Sequence, residues 1–287
     1  MSQATTASRL RELLAGDQLI VAPGVYDGIS AALVSKLGFS AAYMTGAGVS
    51  ASFGLPDIGL VTLTEMAGRA RTLSSQLEVP LIADADTGYG SPINVVRTVR
   101  EYESAGVAAI QLEDQTFPKR CGHLAGKEVI GADQFALSLQ AAVDAREEML
   151  IVARTDARAP LGLEEAIGRA NRYASIGADV IFVEAPRSVE EIEEIGARVE
   201  APLLLNVVPG GLTPEVDHGR LIELGYRIVI YPGAVMMAIV SGAIESLSKL
   251  RGQGLGDDRV LPGPEAFFDL FGLSGWIALG QRYEGGD

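Results

Sequence analysis

The chain is poor in the residues that build several common kinds of site. It has one cysteine, Cys121, so no intrachain disulfide is possible, and a reducing, cytoplasmic setting is expected. Its two histidines, His123 and His218, argue against a His-rich zinc centre. The lysines are Lys36, Lys119, Lys127 and Lys249, and none ends a predicted strand, as Schiff-base aldol chemistry would need. Basic charge is scarce: 23 Lys and Arg against 37 Asp and Glu give a net charge of −14. A nucleic-acid partner is therefore not expected, and an anionic substrate needs local help from arginine, a metal or backbone N–H groups. No apolar run approaches the ~20 residues of a membrane span, so no membrane partner is expected. Arg9, Arg11 and Glu12 break up the first apolar runs, which is not the pattern of a signal peptide.

Hydrophobic residues make up 48% of the 287 residues, enough for a large buried core. A short amphipathic helix is expected over 8–15. Eight apolar runs then follow at 19–22, 41–44, 81–83, 108–112, 150–153, 180–183, 203–205 and 228–230. The stretches between them have helical spacing, for example 163–173, 189–199 and 214–224. Leu37-Gly38, Ala105-Gly106, Ile176-Gly177 and Leu224-Gly225 mark helix ends, because glycine accepts φ > 0 cheaply. Alternating strands and helices imply a parallel sheet, and this many units predict a (β/α)₈ TIM-type barrel. The alternative, an open doubly wound sheet, lacks its Gly-x-Gly-x-x-Gly loop after the first strand.

In such a barrel the site lies where the strands end. Those ends carry Tyr43, Thr45 and Gly46, then Asp84 and Asp86, Glu113 and Asp114, Arg154 and Asp156, Glu184, and Asn206. A few structural salt bridges do not explain so regular a set, which points to an enzyme. The stretch Pro80-Leu81-Ile82-Ala83-Asp84-Ala85-Asp86-Thr87-Gly88-Tyr89-Gly90 is the centre of this reading. If the chain stays extended, Asp84 and Asp86 point to one side and repel unless a cation lies between them. Carboxylates with water ligands suit Mg²⁺, with Mn²⁺ as a substitute. The competing account makes one a buried, hydrogen-bonded acid and the other a helix cap.

The segment after the fourth strand, Phe117-Pro118-Lys119-Arg120-Cys121-Gly122-His123-Leu124, is long enough to act as a lid. The cations around Cys121 favour its thiolate, which suits it to proton transfer near neutral pH. His218 reads as a solvated helix-end residue. The barrel is expected over 1–251 and a helical extension over 252–287. The extension carries Phe267, Phe268, Phe271 and Trp276, an apolar face expected to dock on a neighbouring subunit.

Six ordered motifs carry a resemblance: Tyr43-Met44-Thr45-Gly46, Gly54-Leu55-Pro56-Asp57, Asp84-Ala85-Asp86-Thr87-Gly88-Tyr89-Gly90, Glu113-Asp114-Gln115, Lys119-Arg120-Cys121-Gly122-His123 and Ala153-Arg154-Thr155-Asp156-Ala157. Over nearly its whole length the chain resembles the isocitrate lyase / phosphoenolpyruvate mutase superfamily. Its Lys-Arg-Cys-Gly-His loop is similar to that of the lyase branch, which includes 2-methylisocitrate lyase and dimethylmalate lyase. Carboxyphosphonoenolpyruvate mutase shares that loop. The resemblance implies that Asp84 and Asp86 hold Mg²⁺, with Asp57 and Glu113 reaching it directly or through water. It implies that Thr45, Gly46 and Ala47 bind a substrate carboxylate, that Arg154 clamps an anionic oxygen, and that Glu184, Gly122, His123 and Asn206 line the rest. Cys121 would be the acid/base on the closing loop and Tyr43 a base acting through water. The implied reaction is cleavage of a 2-hydroxy di- or tricarboxylate to a 2-oxo acid such as pyruvate. Phosphonomutase and oxaloacetate hydrolase or decarboxylase chemistry are the alternatives on the same scaffold. A homotetramer, built as a dimer of helix-swapped dimers, is also implied. Two departures favour a smaller or more apolar substrate, such as an alkylated malate. Val207-Val208-Pro209 follows Asn206, and Tyr231-Pro232-Gly233 lacks the serine found in many relatives.

Overall fold

Every one of the eight apolar runs is a strand: β1 (Ile20–Val25), β2 (Ala42–Met44), β3 (Leu81–Asp84), β4 (Ala109–Glu113), β5 (Leu150–Thr155), β6 (Val180–Val183), β7 (Leu203–Asn206) and β8 (Tyr226–Tyr231). The computed structural model describes residues 5–122, 126–253 and 263–284. In it the strands pair in parallel in chain order, and β8 closes on β1 through the register Ile20↔Ile228 to Pro23↔Tyr231. The expected (β/α)₈ barrel is the fold.

The helices are α1 (Thr6–Ala15), α2 (Gly28–Lys36), α3 (Gly46–Ser52), α4 (Leu63–Gln76), α5 (Pro92–Ser104), α6 (Ala132–Ala145), α7 (Arg158–Leu161), α8 (Leu163–Ile176), α9 (Val189–Arg198), α10 (His218–Glu223), α11 (Ala234–Gln253), α12 (Pro264–Asp269) and α13 (Leu273–Glu284). Caps set their starts. Asp27 and Ser30 form a reciprocal box at α2, and Thr62 and Glu65 form another at α4. Gly38, Gly106, Gly177 and Gly225 all take positive φ after helices, as expected from their place in the sequence. The helix expected over 214–224 begins only at His218. Asp217 caps it by accepting from the N–H groups of Gly219 and Arg220, and His218 is exposed at its first position.

Strand alternation builds two cores. One face of each strand packs against the helices, and the other fills the barrel with Ile20, Ile82, Leu150, Val180, Leu204 and Ile228, closed below by Leu10 of α1. Following the inward rows by steps of two changes their character. Ile82 leads to Asp84, Ala109 to Gln111 and Glu113, Val152 to Arg154, Phe182 to Glu184, and Leu204 to Asn206. The barrel is therefore apolar below and polar at its C-terminal mouth.

Beyond β8 the chain departs from the repeat. α11 runs on to Gln253, past the boundary expected at 251, and carries apolar side chains on a solvent-facing surface; Leu247 is 63% exposed. The tail is a helix pair, α12 and α13, with Phe267 edge-on to Phe268 and Phe271, and Trp276 70% exposed.

Barrel closure leaves no room at Gly24, where a Cβ would stand 2.1 Å from the carbonyl oxygen of Pro232. Gly24→Ala should therefore cost about 1–3 kcal/mol, read as a lowered denaturant midpoint with an unchanged slope. An unaltered midpoint would show that the β1–β8 seam yields.

Candidate active site

The mouth of the barrel gathers acids from five segments. Asp84 ends β3, Asp86 lies in the next turn, Glu113 ends β4, Glu184 follows β6, and Asp57 reaches over from the loop after α3. The first pair does not converge in the expected way. The strand stops at Asp84, and Asp86 takes a left-handed φ of 47°, so the two are not on one extended face. Instead the Asp86 N–H donates to Asp84 Oδ1 at 3.1 Å, a local turn that aspartate tolerates. The carboxylates still meet above Gly46: a Cβ there would lie 2.6 Å from Asp84 Oδ2 and 3.6 Å from Asp86 Oδ1.

Two cations answer these acids. Lys119, brought in by the loop after β4, has its ammonium against Asp57 and 2.8 Å from Asp86 Oδ1. Burial pulls the Lys119 pKa down, but Asp86, Asp84, Glu113 and Asp57 outweigh it and hold the group well above its ordinary value. Its charge is thus committed to the carboxylates. Arg154 is gripped by Asp156 through two bonds, Nε to Oδ2 at 2.9 Å and Nη2 to Oδ1 at 3.0 Å. Its Nη1 lies 3.1 Å from Glu113 Oε2, and Phe182 packs under the guanidinium. Burial opposes the charge on Arg154, but Asp156, Glu113 and Glu184 raise its pKa well above the usual.

Burial governs the remaining titrations. It pushes Asp86 up to about 6, with Lys119 opposing and Asp84 adding to the rise. It drives Glu113 well above the carboxylate range despite Arg154, and Glu113 Oε1 is buried without a hydrogen-bond partner. Tyr43 is likewise pushed well up by burial and by Asp84, and its hydroxyl donates to Gln111 Oε1 at 2.7 Å. A phenol so held keeps its proton, so Tyr43 is placed as a donor rather than as the expected base.

Many of the expected residues line one cavity of about 130 Å³, but Asp86 and Glu113 line another. Asp84, Asp57, Thr45 and Ala47 line it together with Lys119, Arg120, Cys121, Gly122, Arg154, Glu184 and Asn206. Gly46 lies beneath, its N–H 3.3 Å from Asp84 Oδ2, and the Thr45 hydroxyl caps α3 by accepting from Gly48 N–H. Val208, Ile230, Pro232, Met236 and Met237 make an apolar end wall. The cavity is small because residues 119–122 cover it: a Cβ on Gly122 would stand 2.0 Å from Glu184 Oε1. Cys121 is half-buried. His123 lies outside the described residues. A second cavity, of about 730 Å³, opens beside the first and has Asp86 and Glu113 at its base. It holds none of the thiol, guanidinium or amide groups that converge on the smaller one.

Among the described residues no three carboxylate, imidazole or thiol groups meet in a geometry that ligates an ion unaided. Asp84 and Asp86 are the converging pair; Asp57 is turned to Lys119 and Glu113 to Arg154.

Two neighbours, Gln111 and Lys127, escaped the reading of the site, and Asp114, named there at the end of its strand, has a different place. Gln111 donates to Asp84 Oδ1 at 3.3 Å and bridges that acid to Tyr43. Its signal was an amide inside an otherwise apolar run. Lys127 pairs with Asp156 at 2.7 Å, fully buried, and the two cations Arg154 and Lys127 outweigh burial and lower the Asp156 pKa. Asp114 faces away from the cavity. It accepts from Thr155, Arg169, Tyr173 and the Asp156 N–H, all within 2.9 Å, and so fixes the end of β5 from behind. No local pattern announces partners that lie 41 to 59 residues away.

Comparison with known proteins bears on this arrangement. The phosphoenolpyruvate phosphomutase family model matches residues 10–251. The chain is 45% identical over 275 residues to 2,3-dimethylmalate lyase of Eubacterium barkeri, covering 93% of this chain and 94% of that one. It is 45% identical over 265 residues to 2-methylisocitrate lyase of Aeropyrum pernix, covering 92% and 86%. Oxaloacetate acetylhydrolase, solved with 3,3-difluorooxalacetate, superimposes with a TM-score of 0.94 at 40% identity, covering 98% of each chain. With the barrel, the motif order and these relatives in agreement, the chain belongs to the isocitrate lyase / phosphoenolpyruvate mutase superfamily.

Proposed function

We propose that this protein is a carbon–carbon lyase that cleaves a 2-hydroxy dicarboxylate of the alkylmalate type to a 2-oxo acid and a second carboxylic acid. The observation that carries the reading is the small cavity itself. It brings the Cys121 thiol and the Arg154 guanidinium together with Asp84 and Asp57, and Val208, Met236 and Met237 give it an apolar stretch of wall, while Asp86 lines the second cavity. The named activities of the two lyase relatives support the reaction class.

The acid pair fits a hard divalent cation, Mg²⁺ with Mn²⁺ as a substitute: two converging carboxylates leave the remaining positions to water and substrate. Asp84 and Asp86 would hold it, with Asp57 and Glu113 at water's reach. When bound, the cation would polarise the 2-hydroxy acid and acidify its hydroxyl. The hydroxyl proton leaves to water in the cavity, and Glu113, pushed toward its protonated form by burial, stands beside Arg154 as a donor rather than a base. Arg154, held rigid by Asp156, binds the substrate's carboxylate and steadies charge as the C2–C3 bond breaks. Cys121 on the covering loop returns a proton to the departing carbon. Tyr43 keeps its proton and steadies Gln111, while Thr45, Gly46 and Ala47 with Gly122, His123, Glu184 and Asn206 enclose the substrate. The apolar, exposed faces of α11 and α13 are covered by subunit exchange, giving a dimer of swapped dimers in a reducing cytoplasm.

A divalent-cation-dependent release of pyruvate from 2,3-dimethylmalate, exceeding that from 2-methylisocitrate, is the expected outcome of a lactate dehydrogenase-coupled assay. EDTA and Cys121→Ser should each abolish it. Acetate from oxaloacetate, measured separately, would instead favour hydrolysis, the activity named for the solved relative. A phosphorus signal change on phosphonopyruvate would favour P–C chemistry.

Cation binding should also be visible in protons. The folded Asp86 carboxyl keeps its proton up to about pH 6, whereas an unfolded one loses it near 4, so this site's contribution to stability falls as pH rises through that window. A cation must displace that proton. Adding Mg²⁺ at about pH 5.5 should release protons to an indicator dye, and at about pH 8 almost none from this site. Equal release at both would remove Asp86 from the ligand set.

Light scattering should give a mass near four times the 30.1 kDa chain, and Trp276→Glu should lower it. A monomeric parent would sink the exchange.

A further inference from the structure

We infer that Gln115 is the positioning residue that holds the covering loop, and with it Cys121, over the cavity. The inference rests on Cys121 being the group that returns the proton. Gln115 lies two residues past the end of β4 and is 2% exposed. Its side chain grips the main chain of Arg120 from both sides: Nε2 donates to the Arg120 carbonyl at 2.9 Å, and Oε1 accepts the Arg120 N–H at 2.9 Å. Only a group that donates and accepts at once can do this, which selects a carboxamide over a carboxylate. The pair of bonds works like one rung of a sheet and closes residues 115–120 into a ring. The next residue after the clasp is Cys121.

The other side of the thiol is held as well. Gly122 is wedged where a Cβ would lie 2.0 Å from Glu184 Oε1 and 2.5 Å from Arg154 Nη2. The legs of the loop are joined below by the Thr116 N–H to Glu128 carbonyl bond at 2.9 Å and the Ile130 N–H to Asp114 carbonyl bond at 2.9 Å. The base is therefore a short antiparallel ladder, and above it Cys121 is flanked by the Gln115 clasp at Arg120 and the Gly122 wedge. Gln115 does not line the small cavity. It acts through the position of the Arg120 peptide.

The test follows the chain's single thiol, so labelling by iodoacetamide, read by intact mass, reports Cys121 alone. The full-length protein, in the assembly it forms, is compared with Gln115→Met, which removes both bonds at similar volume, and Gln115→Glu, which keeps only the acceptor. Losing two ordinary hydrogen bonds should open the loop about tenfold more often. Labelling of Gln115→Met should accelerate by about that factor, with Gln115→Glu in between, while the thermal midpoint changes little. In turnover, kcat should fall by about the same factor with KM within about threefold, the split expected when the loop rather than the binding groups is displaced. If Gln115→Met does not fold, Gln115→Glu decides alone. Labelling at the parent rate in whichever variants fold overturns the inference. Graded labelling in a parent that turns over no hydroxy acid would strike the lyase reading and leave the clasp standing.

Discussion

The mouth of this barrel is short of positive charge, and much of its architecture answers that shortage. Asp57, Asp84, Asp86, Glu113, Asp156 and Glu184 meet there against Arg154, Lys119 and Lys127. Buried like charges raise one another's energy steeply, so each acid must be paired, protonated or bound to a cation. The first two are visible, and the acid pair is shaped for the third. Asp156 is paired twice, Asp86 and Glu113 are pushed toward their protonated forms, and Asp84 and Asp86 converge on one point above Gly46. A divalent cation completes the balance, which is why the acid pair and the cation-dependent reading belong together.

The same shortage explains the loop. Lys119 is not an exposed lysine that happens to sit near the site; it is buried among acids that need it. Closing the loop therefore has an electrostatic reward at Asp57 and Asp86, and a geometric stop at Gly122 and Gln115. Specific position comes from the neutral groups. An ion pair tolerates many geometries, whereas the two opposed hydrogen bonds of an amide define one peptide orientation. Arg154 shows the same division of labour: Asp156 fixes its plane, and its remaining donors face the cavity.

The proposed preference for an alkylated malate rests on the apolar stretch of the cavity wall. Met236 and Met237 at the start of α11, with Val208 after β7, offer no partner to another carboxylate. A further ionised group buried there would be left without compensation. In the proposed reading, reaction class and substrate size draw on different parts of the site: charge at the mouths of β3 to β6, and hydrocarbon after β7 and β8.

Much of this was present in the sequence because a barrel is a local repeat. A short continuous apolar run such as 81–83 or 150–153, set between helical stretches, specifies a strand buried on both faces, and the residue that breaks the run, Asp84 or Arg154, marks its C-terminal end. Neither inference needs to know which strands touch. Glycine after a helix, and aspartate or threonine before one, are equally local. The sequence could not show how Asp86 reaches Asp84, because a left-handed turn and an extended chain share the same letters. Nor could it show that Tyr43 is held as a donor, that Lys127 neutralises Asp156, or that Gln115 clasps Arg120. Those pairings depend on closure of the barrel and the return of a loop, which bring together groups 29 to 68 residues apart or bend a short segment back on itself. Charge type and order were written along the chain; partner and protonation were decided only when burial brought the charges together.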